Sequence, residues 1–171
     1  METNSVVFFR SQPYPQLPSK PIIAAWKIKN PGNIGSLIRL ADNIGCEELF
    51  LLDDDSPKRE ASIKKTAGLS YKNVKVQFVS SDRFFGMIPA GYTTCAIETA
   101  GPSVNIYETR LPEKIVFLLG SETHGLPAEL LSQCQLVVHI PMTGKCMSMN
   151  VSHALAVGLF EWLRQQFFQA E

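Results

Sequence analysis

Short runs of aliphatic and β-branched residues alternate along the chain with segments whose apolar positions recur every three or four residues. Ile22–Ile28, Leu49–Leu52, Val74–Val79, Cys95–Ile97, Ile115–Leu119 and Leu136–Ile140 read as strands, because short apolar runs bounded by turn residues fit buried strands. Ile34, Leu37, Ile38, Ala41 and Ile44 fall at helical spacing and predict an amphipathic helix starting near Asn33. A basic stretch through Lys65, then Ser81–Met87 and Pro127–Leu131, read as further helices. From about Met149 a long final helix carries an apolar stripe of Val151, Ala154, Leu155, Gly158, Leu159 and Trp162. Strands alternating with helices imply an α/β domain on a mostly parallel sheet flanked by helices.

The first twenty residues, with Pro13, Pro15 and Pro18, read as an irregular lead-in to a single domain spanning 1–171. The chain is 45% hydrophobic and 19% charged, which argues for a packed core and against disorder. No apolar run approaches the ~18 residues that cross a bilayer. The start Met-Glu-Thr-Asn-Ser lacks the basic and apolar stretches of a signal peptide. Cys46, Cys95, Cys134 and Cys146 are widely spaced without a CxxC pair. That pattern fits reduced, mostly buried thiols in a cytoplasmic protein better than a disulfide framework or a zinc site. His124, His139 and His153 lack metal-ligand spacing, so no metal is expected. Net charge is zero, yet Lys58, Arg59, Lys64, Lys65, Lys72 and Lys75 face only Glu60 within residues 58–75. This basic stretch is either a solvated face or a surface for a phosphate backbone.

Three polar, glycine-bearing segments stand directly after expected strands: NPGNIGSLIR at 30–39, GSETHGLP at 120–127 and PMTGKCMSMN at 141–150. In open parallel sheets ligands bind outside the carboxyl ends of the strands, so three such loops on one rim would build one pocket. None is a GxGxxG or GxxxxGK[ST] phosphate cradle, and GxSxG is absent.

Taken together, Asn33-x-Gly35-x-x-x-Arg39, Leu119-Gly120-Ser121-Glu122-x-x-Gly125-Leu126, and Ile140-Pro141-Met142 with Ser148-x-Asn150-Val151-Ser152 resemble the three motifs of the SpoU/TrmH-type RNA methyltransferases of the SPOUT superfamily. They occur in order and span residues 30–152. The resemblance implies a C-terminal deep trefoil knot whose loops bind S-adenosylmethionine, a homodimer, and methyl transfer to a ribose 2′-hydroxyl of RNA. Methylation of a base nitrogen, or a catalytically silent RNA-binding factor with the same fold, are the alternatives. With almost nothing outside the core and no added RNA-binding domain, tRNA is favoured over rRNA as substrate.

By the same resemblance, Arg39 acts on the 2′-hydroxyl, as base or as the anchor that orients it. Because a guanidinium stays protonated, orientation is the preferred role. Asn33 suits a helix cap, or a hydrogen bond to Arg39 or RNA. Gly35 would admit close approach by a ligand or partner subunit. Glu122 would meet an arginine or the sulfonium region. Ser148 and Asn150 would hold substrate and cofactor, and either suits the cap of the final helix. Ile97, Gly120 and Ile140 would clasp the cofactor largely through backbone, beside Ser148 and Met149. Lys58, Arg59, Lys64 and Lys65 are the candidate RNA contacts. Trp162, Phe167 and Phe168 at the chain end suggest a dimer interface.

Overall fold

The structure, a computed structural model, describes residues 5–12, 14–53 and 59–168. At its centre lies β6 (Ile115–Leu119), five consecutive apolar residues each no more than 1% exposed. A run without a polar alternate fits only a strand covered on both faces. On one side of it follow β1 (Ile22–Trp26), β2 (Glu48–Leu52) and β3 (Lys75–Val79). On the other follow β4 (Thr93–Ile97), β7 (Leu136–His139) and the two-residue β5 (Val104–Asn105). Every pairing in this seven-stranded sheet is parallel.

Successive strand residues point to opposite faces, which divides the core in two. Ile23, Ala25, Ile115, Phe117 and Leu119 pack under α2 (Pro31–Ile44), α3 (Glu60–Ala67) and α6 (Val151–Phe167). Ala24, Val116 and Leu118 pack under α4 (Ser81–Met87) and α5 (Ala128–Leu131).

Helix α2 begins earlier than its apolar period suggests. The Asn30 side chain caps it by accepting the Gly32 N–H at 2.8 Å. Pro31 at the first position gives up no helical donor. Asn33 is therefore not the cap but a buried polar residue inside the first turn, 9% exposed. Gly45, at φ 76°, closes the helix. Gly35 lies against α3 of the same chain. A Cβ there would sit 2.6 Å from Thr66 Cβ and 2.8 Å from the Ile63 carbonyl oxygen.

The lead-in is not wholly irregular: Ser5–Arg10 form α1, with no buried residue. Trp162 is a core residue rather than an interface one, fully buried and donating its Nε1–H to the Pro112 carbonyl at 3.0 Å. Phe167 stacks on Tyr14 at 6.2 Å, and Phe168 remains exposed. Burial pushes the Cys46 and Cys95 thiols up to about 12 and half-buried Cys134 up to about 11, whereas Cys146 is exposed.

Candidate active site

Ala25 of β1 lies opposite Leu119 of β6, so the segments after these strands leave the sheet side by side. That adjacency brings Glu122 to the start of α2. One Glu122 carboxylate oxygen accepts from Asn33 Nδ2 at 2.9 Å and from the Asn30 N–H at 3.2 Å; the other accepts from the Lys29 N–H at 3.4 Å. Asn33 Oδ1 in turn accepts from Asn150 Nδ2 at 3.0 Å. Asn150 Oδ1 accepts the Ser152 N–H at 2.9 Å and its hydroxyl at 2.7 Å, which caps α6. Each amide donates to one neighbour and accepts from the next, so a polar chain runs through all three glycine-bearing segments. Burial would raise the Glu122 carboxyl, but the donors from Asn33 and from the Asn30 and Lys29 backbone outweigh it and hold it below the ordinary carboxylate value.

Beside this relay, a pocket of about 470 Å³ opens at the carboxyl ends of β4, β6 and β7. Ile97, Gly120, Ile140, Ser148 and Met149 all line it, as do Glu122 and Met142. Its loop depends on two glycines. Ser121 and Gly125 exchange backbone hydrogen bonds of 3.2 and 3.1 Å, closing a tight turn with Gly125 at φ 64°. A Cβ on Gly120 would collide with the Gly125 and Leu126 backbone, so only glycine lets the turn fold back onto its own stem.

Not every expected residue joins the pocket. Arg39 is exposed, forms no hydrogen bond or ion pair with the other described residues, and does not line the cavity. Asn33 makes no bond to it, since its amide is engaged by Glu122 and Asn150; nor does Glu122 meet an arginine. Arg59 and Lys65 are exposed beside and on α3. Lys64 pairs with Glu60 at 2.7 Å and sits 5.2 Å from the Tyr71 ring centre. Lys58 lies outside the described residues. Conversely, Glu98, His124 and His139 line the pocket without having been singled out as site residues. Glu98 and His139 were findable, because each stands at the carboxyl end of a strand, where the same rule places ligands. Among the described residues no cluster of three or more His, Cys, Asp or Glu could hold a metal, and no helix is long and apolar enough to cross a membrane.

A parallel α/β sheet with a pocket outside its strand ends, and a polar relay fixing the rim, defines a ligand-binding domain of the open-sheet class. Residues 20–160 match the SpoU rRNA Methylase family, and the chain belongs to it. It is 31% identical over 151 residues to tRNA (guanosine(18)-2'-O)-methyltransferase TARBP1 of Mus musculus, covering 86% of this chain and 10% of that protein. It is 29% identical over 143 residues to 23S rRNA (guanosine-2'-O-)-methyltransferase RlmB of Blochmanniella floridana, covering 83% of this chain and 56% of that one. The chain thus spans a small part of the first relative and little more than half of the second. Among solved structures, one described as giving insights into the 2-OH methylation of C/U34 on tRNA superposes with TM-score 0.78 at 27% identity, covering 86% of this chain and 97% of that one. The AdoMet-bound rRNA methyltransferase of Sinorhizobium meliloti superposes with TM-score 0.79 at 27% identity, covering 89% and 58%.

Proposed function

We propose that this protein transfers a methyl group from S-adenosylmethionine to a ribose 2′-hydroxyl of RNA, with tRNA favoured over rRNA. The observation that carries the proposal is the hydrogen-bonded relay Glu122–Asn33–Asn150–Ser152. It ties three distant segments together and ends, at Glu122, on the pocket wall.

The pocket suits the cofactor in size and chemistry. A cavity of about 470 Å³ falls within the range of small-molecule sites. Ile97, Leu119, Ile140 and Val151 offer apolar walls to a purine, and the strand ends beside Gly120 offer backbone donors and acceptors. Ile97, Gly120, Ile140, Ser148 and Met149 would hold the bound molecule. S-adenosylmethionine supplies a methyl group already activated by a cationic sulfur, so the protein's task is to orient the attacking oxygen and manage its proton. Arg39 orients the hydroxyl and its neighbouring phosphate and offsets the negative charge that develops on the oxygen; a permanently protonated guanidinium is suited to that role and not to a base. Glu122, held ionised by its three donors, fixes Asn33, while Ser148 and Asn150 hold substrate and cofactor.

The working unit in this reading is a knotted homodimer in the cytoplasm. Arg39 lines no part of the pocket within its own chain, which supports delivery across a subunit boundary. Exposed Val6, Phe8, Phe9 and Phe160 supply apolar surface for such a contact. Arg59 and Lys65, with Lys58 and Lys64, would meet the RNA backbone. The preference for tRNA is supported by the likeness to the tRNA-methylation structure, nearly all of whose length this chain covers.

The test incubates the purified protein and methyl-labelled S-adenosylmethionine with tRNA and, separately, rRNA from cells lacking the protein. Label entering tRNA is the expected result. Label entering rRNA alone would reassign the substrate, and label in neither, with cofactor binding demonstrated, would favour an RNA-binding factor without turnover.

A further inference from the structure

Glu98 follows β4 directly and faces the same cavity. Its position is fixed from two sides: one carboxylate oxygen accepts the Thr99 N–H at 3.0 Å, the other the Leu126 N–H at 2.8 Å. The second bond crosses from the end of β4 to the turn after β6. Gly125 makes room for it, since a Cβ there would stand 2.5 Å from the same Glu98 oxygen. Each oxygen accepts a single hydrogen bond and so retains acceptor capacity.

The charge around it is one-sided. Among the described residues no lysine or arginine lines the pocket, whose ionisable groups are the carboxylates Glu98 and Glu122 and the imidazoles His124 and His139. Glu122 is engaged by Asn33 and the Lys29 and Asn30 backbone. Among the described residues Glu98 receives two neutral backbone donors, and it carries its negative charge into a cavity that no lysine or arginine lines. Such a wall repels phosphate-bearing ligands and favours cationic ones.

We propose that Glu98 is a specificity-determining residue of this pocket, selecting the cationic methyl donor over its demethylated product. The inference rests on the reading of the cavity as the S-adenosylmethionine site. With sulfonium, ammonium and carboxylate, the donor carries a net charge of +1. Transfer of the methyl forms the oxygen–carbon bond, breaks the sulfur–carbon bond, returns its bonding pair to sulfur and gives the hydroxyl proton to solvent water. S-adenosylhomocysteine then has no net charge. A fixed carboxylate in the wall loses its partner charge at that step, which weakens product retention and favours exchange for fresh donor.

Isothermal titration calorimetry on the intact protein separates this role from a structural one. The probes are S-adenosylmethionine, S-adenosylhomocysteine and sinefungin, whose amine replaces the sulfonium and keeps the cationic charge without a transferable methyl. Glu98→Gln preserves shape and removes charge. The expected result is a loss of affinity for the donor and sinefungin about three- to tenfold greater than for S-adenosylhomocysteine, the size of one unit charge acting through a partly solvated cavity. An equal loss for all three, or no change, would overturn the proposal and leave Glu98 as a clamp on the 121–125 turn. Should the variant not fold, raising ionic strength with the wild-type protein should erode its preference for the cationic ligands over S-adenosylhomocysteine; an unchanged ratio counts against the proposal. A wild-type protein that binds none of the three removes the cofactor reading itself, and the proposal with it.

Discussion

Asn33 and Asn150, 117 positions apart, share an amide–amide hydrogen bond of 3.0 Å. One belongs to the first turn of α2, the other caps α6. Their bond fixes the two helix starts against each other, and Glu122, on the other side of Asn33, extends the link to the pocket.

Asn33→Ala should disconnect that link. Asn33 is buried, and its loss leaves the Asn150 amide and a Glu122 oxygen each short of a partner, a cost of about 1–3 kcal/mol. Urea denaturation should register that loss, and methylation should fall by more than tenfold. Full activity in a destabilised variant would show that the relay supports only the fold.

Arg39→Ala should do the reverse. The side chain is exposed and unpaired among the described residues, so stability should change by no more than about 0.5 kcal/mol. Methyl transfer should collapse while S-adenosylmethionine affinity, read by calorimetry, stays unchanged. Retained turnover would remove Arg39 from the mechanism.

The Glu122 carboxyl lies below its ordinary value of 4.5 because hydrogen bonds to the ionised form outweigh burial. A depressed folded-state value stabilises the protein above the unfolded value, and the benefit fades as pH falls through the folded one. The stability gap between wild type and Glu122→Gln should therefore be widest near neutrality and should close below about pH 4. Chemical denaturation from pH 7 to pH 3 measures it, and a gap that widens in acid would contradict the assignment.

Gly35→Ala should destabilise the domain although alanine is the better helix former. The added methyl meets the Ile63 carbonyl oxygen at 2.8 Å, a backbone atom with little room to yield. Overpacking costs about 1–3 kcal/mol, against a propensity gain of up to about 1 kcal/mol. A rise in melting temperature would show that α2 and α3 are less closely apposed.

If Arg59 and Lys65 meet an RNA backbone, replacing both by alanine should weaken RNA binding and flatten its salt dependence. Each lost phosphate contact should reduce the slope of log affinity against log salt by about 0.7–0.9. An unchanged slope would return this stretch to a solvated face.

Much of the architecture is legible in the residues themselves. Ile115–Leu119 and Ser81–Met87 have the bounds read from the chain, because an unbroken apolar run and a short periodic segment each fit one element. The features missed depend on contacts distant in sequence. Asn30 rather than Asn33 caps α2, and Asn33 is instead engaged by Glu122 from the end of the neighbouring strand, 89 positions on. Apolar periodicity marks Trp162 as facing inward but does not name the Pro112 carbonyl that satisfies its buried indole N–H. Glu98 carries no local signal as a site residue beyond its place after β4, and its contact with Gly125 exists only once β4 and β6 are neighbours.

The most direct measurement exploits the chemistry of the 2′-hydroxyl, which alkali requires to cleave the adjacent phosphodiester. Labelled tRNA from the methylation reaction is digested with alkali, and the products are separated by charge. The expected result is label confined to alkali-stable dinucleotides, the mark of a methylated ribose oxygen. Label released entirely in mononucleotides would place the methyl on a base and contradict the central claim.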